Sequence, residues 1–312
     1  MCKRLDPHSV RAHSAVLGLA LGLLPVSPPA QAAPAGGTGA VPHLDHIIVI
    51  VMENQSYDGV RTAPYIASLV ATGTSFANAY ALTHPSQPNY LALWSGGLQG
   101  VRDDACPVHG APFSTDNLGH ACETAGLTWK AYAEDLPSTG YAGCTWNGRL
   151  YTRSHAPWTN FGNLNHANEV PMTELAQAET LGTLPNLAFV IPNHCNDMHS
   201  CPISSGDAWL STHVPGMLRA IGPHGLVILL WDENDGSPTN QILVTFNGPP
   251  VAKGLVVTRP INHYTVLRTI CDALGLAPIG AATTEPAIQD VWGPATLAIQ
   301  PATWAQVKQL YQ

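Results

Sequence analysis

Charge is scarce in this 312-residue sequence: 13 Lys and Arg and 21 Asp and Glu make up only 11% of it, for a formal charge of −8 with histidine neutral. No cluster of Lys and Arg forms the basic footprint that nucleic-acid phosphates demand, so no nucleic-acid partner is expected. Beyond the N-terminus no apolar run is long enough for the roughly 20 residues of a spanning helix, so no stable membrane insertion is expected either. Internal repeats are also missing, which sets aside stacked repeat architectures. What the chain does have is apolar content, 45% of residues, and a length that suits one large domain with a sizeable core.

The N-terminus has the three-part pattern of an export signal. Lys3, Arg4 and Arg11 precede the apolar stretch from Ala15 to Val26, and Ala30-Gln31-Ala32 offers small residues for cleavage. The expected organisation is therefore a signal over 1–32, a Pro- and Gly-rich leader over 33–42, and a single domain over 43–312 that is secreted after cleavage near Ala32. Cys2 leaves with the signal, and the remaining Cys106, Cys122, Cys144, Cys195, Cys201 and Cys271 form an even set, as oxidised secreted chains often carry. Six cysteines allow 15 connectivities. Cys195 and Cys201 flank a short polar loop and make the first expected pair, with Cys106–Cys144 second. Cys271 falls in the apolar pattern of a helix, which suits a buried free thiol.

Apolar runs fit for buried strands occur at Ile47–Met52, Leu187–Ile191, Leu226–Trp231 and Ile242–Phe246, with weaker ones at Thr74–Phe76 and Thr128–Tyr132. Helical periodicity lies between them at Pro64–Ala71, Pro88–Trp94, Asn117–Ala125, Asp207–Ile221 and His263–Leu274. Alternating strands and helices predict an α/β fold with a mostly parallel sheet covered on both faces, and ligands bind such sheets beyond the carboxyl ends of the strands. Polar clusters stand at three of those ends: Glu53-Asn54, Asn193 to His199, and Asp232-Glu233. Residues 102–168 are rich in Gly, Pro, Trp and Asn and read as a long excursion that shapes a substrate pocket.

In the segment His84-Pro85-Ser86-Gln87-Pro88-Asn89-Tyr90, Ser86 stands at the mouth of a predicted helix, where free backbone N–H groups and the dipole favour an anion. Read blandly, Ser86 is an N-cap before Pro88. Read chemically, it is a nucleophile that needs a base or a metal to lose its proton. Glu53, Asp232 and Glu233 could cap following helices, but acids beside large apolar runs are costly to desolvate without a cation.

Val51 to Asp58, His84 to Leu93, Asn196-Asp197-Met198-His199, Ser205 to Leu210, Trp231 to Gly236 and His263 to Leu267 together resemble the bacterial phosphoesterase family. That family holds acid phosphatases and phosphatidylcholine-type phospholipases C within the alkaline-phosphatase-like superfamily. The likeness runs from about 44 to 293 and is nearest to the small secreted acid phosphatases that include phosphatidylinositol 3-phosphate phosphatases. It implies a three-layer α/β/α sandwich and metal-dependent hydrolysis of phosphate esters. Carried over, Ser86 is the nucleophile and Asn89 a donor to phosphate oxygens, while Glu53, Asn54, Asp232 and Glu233 hold a divalent metal against Ser86. Asp197, His199 and His263 fall where relatives build a second metal or phosphate site, although Cys195 replaces a carboxylate four residues before His199.

Such an oxygen-rich cage suits Mg²⁺, Ca²⁺ or Mn²⁺, with Zn²⁺ also compatible. His84, His199 and His263 can ligate metal when neutral, or clamp phosphate and protonate the leaving group when charged. At acidic pH the reference histidine value of about 6.5 favours the charged form, so one firmly held metal with histidines partly as phosphate clamps is expected. Other histidines, such as His120 and His213, read as surface residues. Asp207 reads as a helix N-cap or as a residue orienting His199. Tyr57, Asp58 and Trp209 read as packing supports. The expected activity is an acid phosphatase acting on a small phosphate monoester or a phosphoinositide head group. A phospholipase C or other phosphodiesterase is the nearest alternative, and a non-catalytic secreted binding protein the more distant one.

Overall fold

A computed structural model describes residues 40–293. The expected export signal, most of the leader and residues 294–312 lie outside the described residues. Eleven strands are described: β1 (His46–Met52), β2 (Thr74–Tyr80), β3 (Trp129–Ala133), β4 (Thr145–Trp146), β5 (Tyr151–Thr152), β6 (Glu169–Pro171), β7 (Leu187–Ile191), β8 (Gly225–Trp231), β9 (Gln241–Asn247), β10 (Leu255–Val257) and β11 (Ile261–Asn262). The helices are α1 (Tyr57–Val60), α2 (Pro64–Thr72), α3 (Ser86–Ser95), α4 (Leu118–Thr124), α5 (Thr173–Leu181), α6 (Ile203–Ala220) and α7 (His263–Leu274).

The strongest strand signals lie at the centre of the main sheet, whose order is β10-β2-β9-β8-β1-β7-β3-β6, with β11 pairing β2. The runs of β1, β7 and β8 are unbroken by polar residues because helices cover both faces, so nearly every side chain is buried. β1 pairs in parallel with β7 and β8, and β9 is antiparallel to both β8 and β2. Two reversals return β2 to the direction of β8, so the chain leaves β2 at the same edge where β1 and β8 end. Among the helices, α2, α5 and α6 pack together and α3 packs on α7. With the sheet these make an α/β/α sandwich around one hydrophobic core.

Three elements differ from the sequence reading. α6 begins at Ile203, four residues before the expected start, and α5 had no stated expectation because only Leu175 and Ala178 of its nine residues are buried. The excursion after residue 102 is built from short turns and the β4–β5 hairpin, and it packs Trp158, Phe161 and His155 into the interior. Both expected disulfides form, Cys106–Cys144 and Cys195–Cys201, while Cys122 and Cys271 are buried free thiols. No helix among the described residues is long and apolar enough to cross a membrane.

Candidate active site

Register builds the site. Met52 stands opposite Trp231 in the β1–β8 pair, so the next residues, Glu53 and Asp232, leave adjacent strands at the same level. The Asp232 N–H extends the ladder to the Met52 carbonyl at 3.0 Å, and the Glu53 N–H donates to the Asp197 carbonyl at 2.9 Å. Asn54 follows with φ of 37°, a left-handed conformation that asparagine tolerates better than most residues. Its N–H reaches Asp232 Oδ1 at 3.4 Å.

α3 delivers Ser86 to this edge. The helix is buried along its whole length and ends at Gly96, whose φ of 67° and approach to the Ile279 carbonyl leave no room for a Cβ. Ser86 Oγ lies 3.1 Å from Glu53 Oε2, 3.2 Å from Asn54 Oδ1 and 2.9 Å from Glu233 Oε1. One hydroxyl has one hydrogen to share among these three acceptors. Glu53, Asp232 and Glu233 are all buried, and among the described residues no Lys or Arg pairs with them. Burial is the first cause that raises the carboxyl pKa of all three, well above the ordinary value for Glu53 and Asp232, and neighbouring acids raise it further. Asp232 Oδ2 is buried without a hydrogen-bond partner. A divalent cation fits this set, because it would satisfy the orphaned oxygen and relieve the crowding with the hard ligands it prefers.

His84 is partly exposed beside this cage and its Nδ1 meets Glu233 Oε2. Together with Asn54, Pro85, Glu233, Asn234, Asp235 and Gly236 it lines an open cleft of about 510 Å³. The expected nucleophile, the four expected metal ligands and His84 thus come together.

The other expected residues are placed differently. Asn89 donates to the Thr83 and Pro85 carbonyls at 2.8 and 3.2 Å, and its Oδ1 accepts from the Leu82 and Thr83 N–H groups. Its amide therefore braces the loop before Ser86 and has no hydrogen left for phosphate. His263 is buried with Nε2 2.6 Å from the Asp232 carbonyl, and burial lowers its pKa to about 4. It supports the Asp232 backbone and does not join Asp197. His199 is exposed, with Nδ1 3.1 Å from Ser200 Oγ. Asp207 lies inside α6 and orients no histidine. Its carboxylate accepts the Tyr65 and Ile66 N–H groups at 3.0 and 2.9 Å, capping α2, whose own N-cap Ala63 has no side-chain acceptor.

Of the expected grouping, Asp197 and His199 do meet, the His199 backbone N–H donating to Asp197 Oδ1 at 2.7 Å, and beside them His155, His194 and Asp197 each present a ligand atom within 4.8 Å of one another. Asp197 Oδ2 and His194 Nε2 are buried without partners, so this cluster also has the chemistry of a cation site. Burial pushes Asp197 up to about 7 and lowers His155 to about 3 and His194 to about 4. Of the histidines expected as charged clamps, His263 is one whose burial disfavours the charged form. His155 was missed because it sits in the irregular excursion, where its one signal is the apolar company of Ala156, Pro157 and Trp158.

The relatives of this chain include phosphatases. The Phosphoesterase family matches residues 59–277. A phosphatidylinositol-3-phosphatase of Mycobacterium tuberculosis is 41% identical over 258 residues, covering 81% of this chain and 85% of that protein. A probable acid phosphatase of Kluyveromyces lactis is 28% identical and covers 71% of this chain, which spans only 56% of that longer protein. In fold, an alkaline phosphatase superfamily protein of Vibrio parahaemolyticus superposes with a TM-score of 0.59 at 12% identity, over 82% of this chain and 72% of the other. The chain belongs to the Phosphoesterase family and is a phosphoric ester hydrolase.

Proposed function

We propose that this protein is a secreted, metal-dependent phosphomonoesterase of the acid-phosphatase type that works through a phosphoserine on Ser86. The observation that carries the reading is the position of Ser86 Oγ, within 3.2 Å of oxygens from Glu53, Asn54 and Glu233, which reach it from the segments after β1 and after β8. Glu53, Asn54, Asp232 and Glu233 would hold the cation, which when bound lowers the pKa of the serine hydroxyl and polarises a phosphoryl oxygen.

The chain's own groups then divide the work. Ser86 gives its proton to an adjacent carboxylate and its Oγ bonds to phosphorus as the ester P–O bond breaks. His84, at the cleft and paired with Glu233, gives a proton to the departing alkoxide. Water then attacks the phosphoserine, releasing phosphate and restoring the hydroxyl. His155, His194 and Asp197 offer a second cation two imidazole nitrogens and a carboxylate.

The relatives' names support a phosphate monoester, with a phosphoinositide head group as the leading substrate class. The two disulfides support export. Ser86→Ala should keep the fold and lose at least about 10³-fold in turnover of a chromogenic monoester. Near-wild-type activity in that variant would reject the mechanism, and faster cleavage of a diester than of a monoester by the native protein would favour the phosphodiesterase reading.

A further inference from the structure

We propose that Tyr90 and His155 are positioning residues that together hold the Glu53 carboxylate in the orientation needed for cation binding. The inference rests on the metal-dependent reading above and adds residues that neither touch the substrate nor ligate the primary cation.

Glu53 is fully buried, and its two oxygens face different partners. Oε2 faces Ser86 Oγ at 3.1 Å. Oε1 accepts the Tyr90 hydroxyl and lies 3.3 Å from His155 Nε2. The Tyr90 hydroxyl fixes Oε1, and the His155 ring packed beside that oxygen blocks its rotation, so the other oxygen stays directed at the nucleophile and the ion beside it. Tyr90 follows Ser86 by four residues on α3, so nucleophile and carboxylate holder share one helix face, and a shift of the helix moves both together.

His155 comes from the excursion, and its ring is fixed by parallel stacking on Tyr90, with centroids 5.1 Å apart, and on His194 at 4.7 Å. Its Nε2 lies against Glu53 and its Nδ1 faces Asp197 Oδ2 at 3.6 Å. One imidazole thereby links the main cage to the neighbouring cluster. The Trp158 and Phe161 anchors nearby explain why the excursion is packed into the core rather than draped over it.

Calorimetric titration of Mn²⁺ into the metal-stripped protein tests the assignment without any turnover. Tyr90→Phe keeps the ring and removes only the hydroxyl, and should weaken Mn²⁺ binding by about 10-fold or more, the usual scale for groups that orient a ligand. His155→Ala should lose a similar factor, whereas His155→Phe, which keeps a ring to stack on Tyr90 but cannot ligate a cation, should recover most of it. At saturating Mn²⁺ the Tyr90→Phe kcat should fall less than the affinity does. Unchanged Mn²⁺ affinity in both Tyr90→Phe and His155→Ala overturns the positioning role while leaving the proposed function standing. No Mn²⁺ uptake by the wild-type protein sinks both readings. If His155→Ala does not fold, the Tyr90→Phe titration decides alone.

Discussion

Ser86 has a single proton facing three oxygen acceptors, and that imbalance explains why the residue types at this site were readable before their geometry. Acids at the ends of apolar strands and a serine at a helix mouth are one-dimensional signals, and β-sheet register converts them into one place. Hydrogen-bond direction has no such signal. Asn89 turns back to the Thr83 and Pro85 carbonyls, and His263 turns to the Asp232 carbonyl, choices set by backbone groups that only the fold brings near. Away from the site, His166 donates to Glu169, a bond that raises the histidine pKa above its ordinary value, while burial raises that of Glu169. Raised values in the folded state mean stability that is complete in acid and lost as pH rises through them. The urea midpoint of the wild type should therefore exceed that of His166→Asn by more at about pH 6 than at about pH 9. Equal gaps at both pH values would show that the pair contributes nothing linked to protons. Burial likewise pushes the Cys122 and Cys271 thiols up to about 12. Both should resist iodoacetamide at about pH 8 in the folded protein and be labelled in denaturant, as peptide mass spectrometry would show.

Among the elements, α2 shows how a cap can be supplied from elsewhere. Its N-terminus opens with Pro64 after Ala63, and neither can accept a helix N–H through its side chain, so Asp207 of α6 does so across the helix pair. The Gly-Asp step looked like a local helix start because a cap supplied from another helix leaves no spacing to read. Asp207→Ala should cost about 1–2 kcal/mol in urea unfolding while leaving kcat nearly unchanged. A loss confined to activity would instead restore a role near His199. The excursion was legible only as irregular, since its stability comes from the Cys106–Cys144 bridge and from Trp158 and Phe161 rather than from any period. Replacing Cys106 and Cys144 by serine releases a loop of 38 residues and should cost roughly 4 kcal/mol on the loop-entropy scale. A drop in melting temperature on scanning calorimetry checks it.

At the level of the whole molecule, the central strands declared themselves because sheets buried on both faces need unbroken apolar runs, whereas α5 stayed hidden behind a polar outer face. The same burial that made the strands legible makes the site costly: three carboxylates are held together at their ends with no Lys or Arg partner among the described residues. The native state should thus be strongly coupled to cation binding. Divalent metal at 100 times its Kd should stabilise the stripped protein by about 2.7 kcal/mol, a rise of roughly 5–10 °C in Tm. Calorimetry with and without chelator would read it directly. Anomalous diffraction from crystals soaked in Mn²⁺ addresses the cage itself. We predict a peak bound by Glu53, Asn54, Asp232 and Glu233 beside Ser86 Oγ. A map with no ion among those residues, or with the Ser86 hydroxyl turned away from them, would contradict the account.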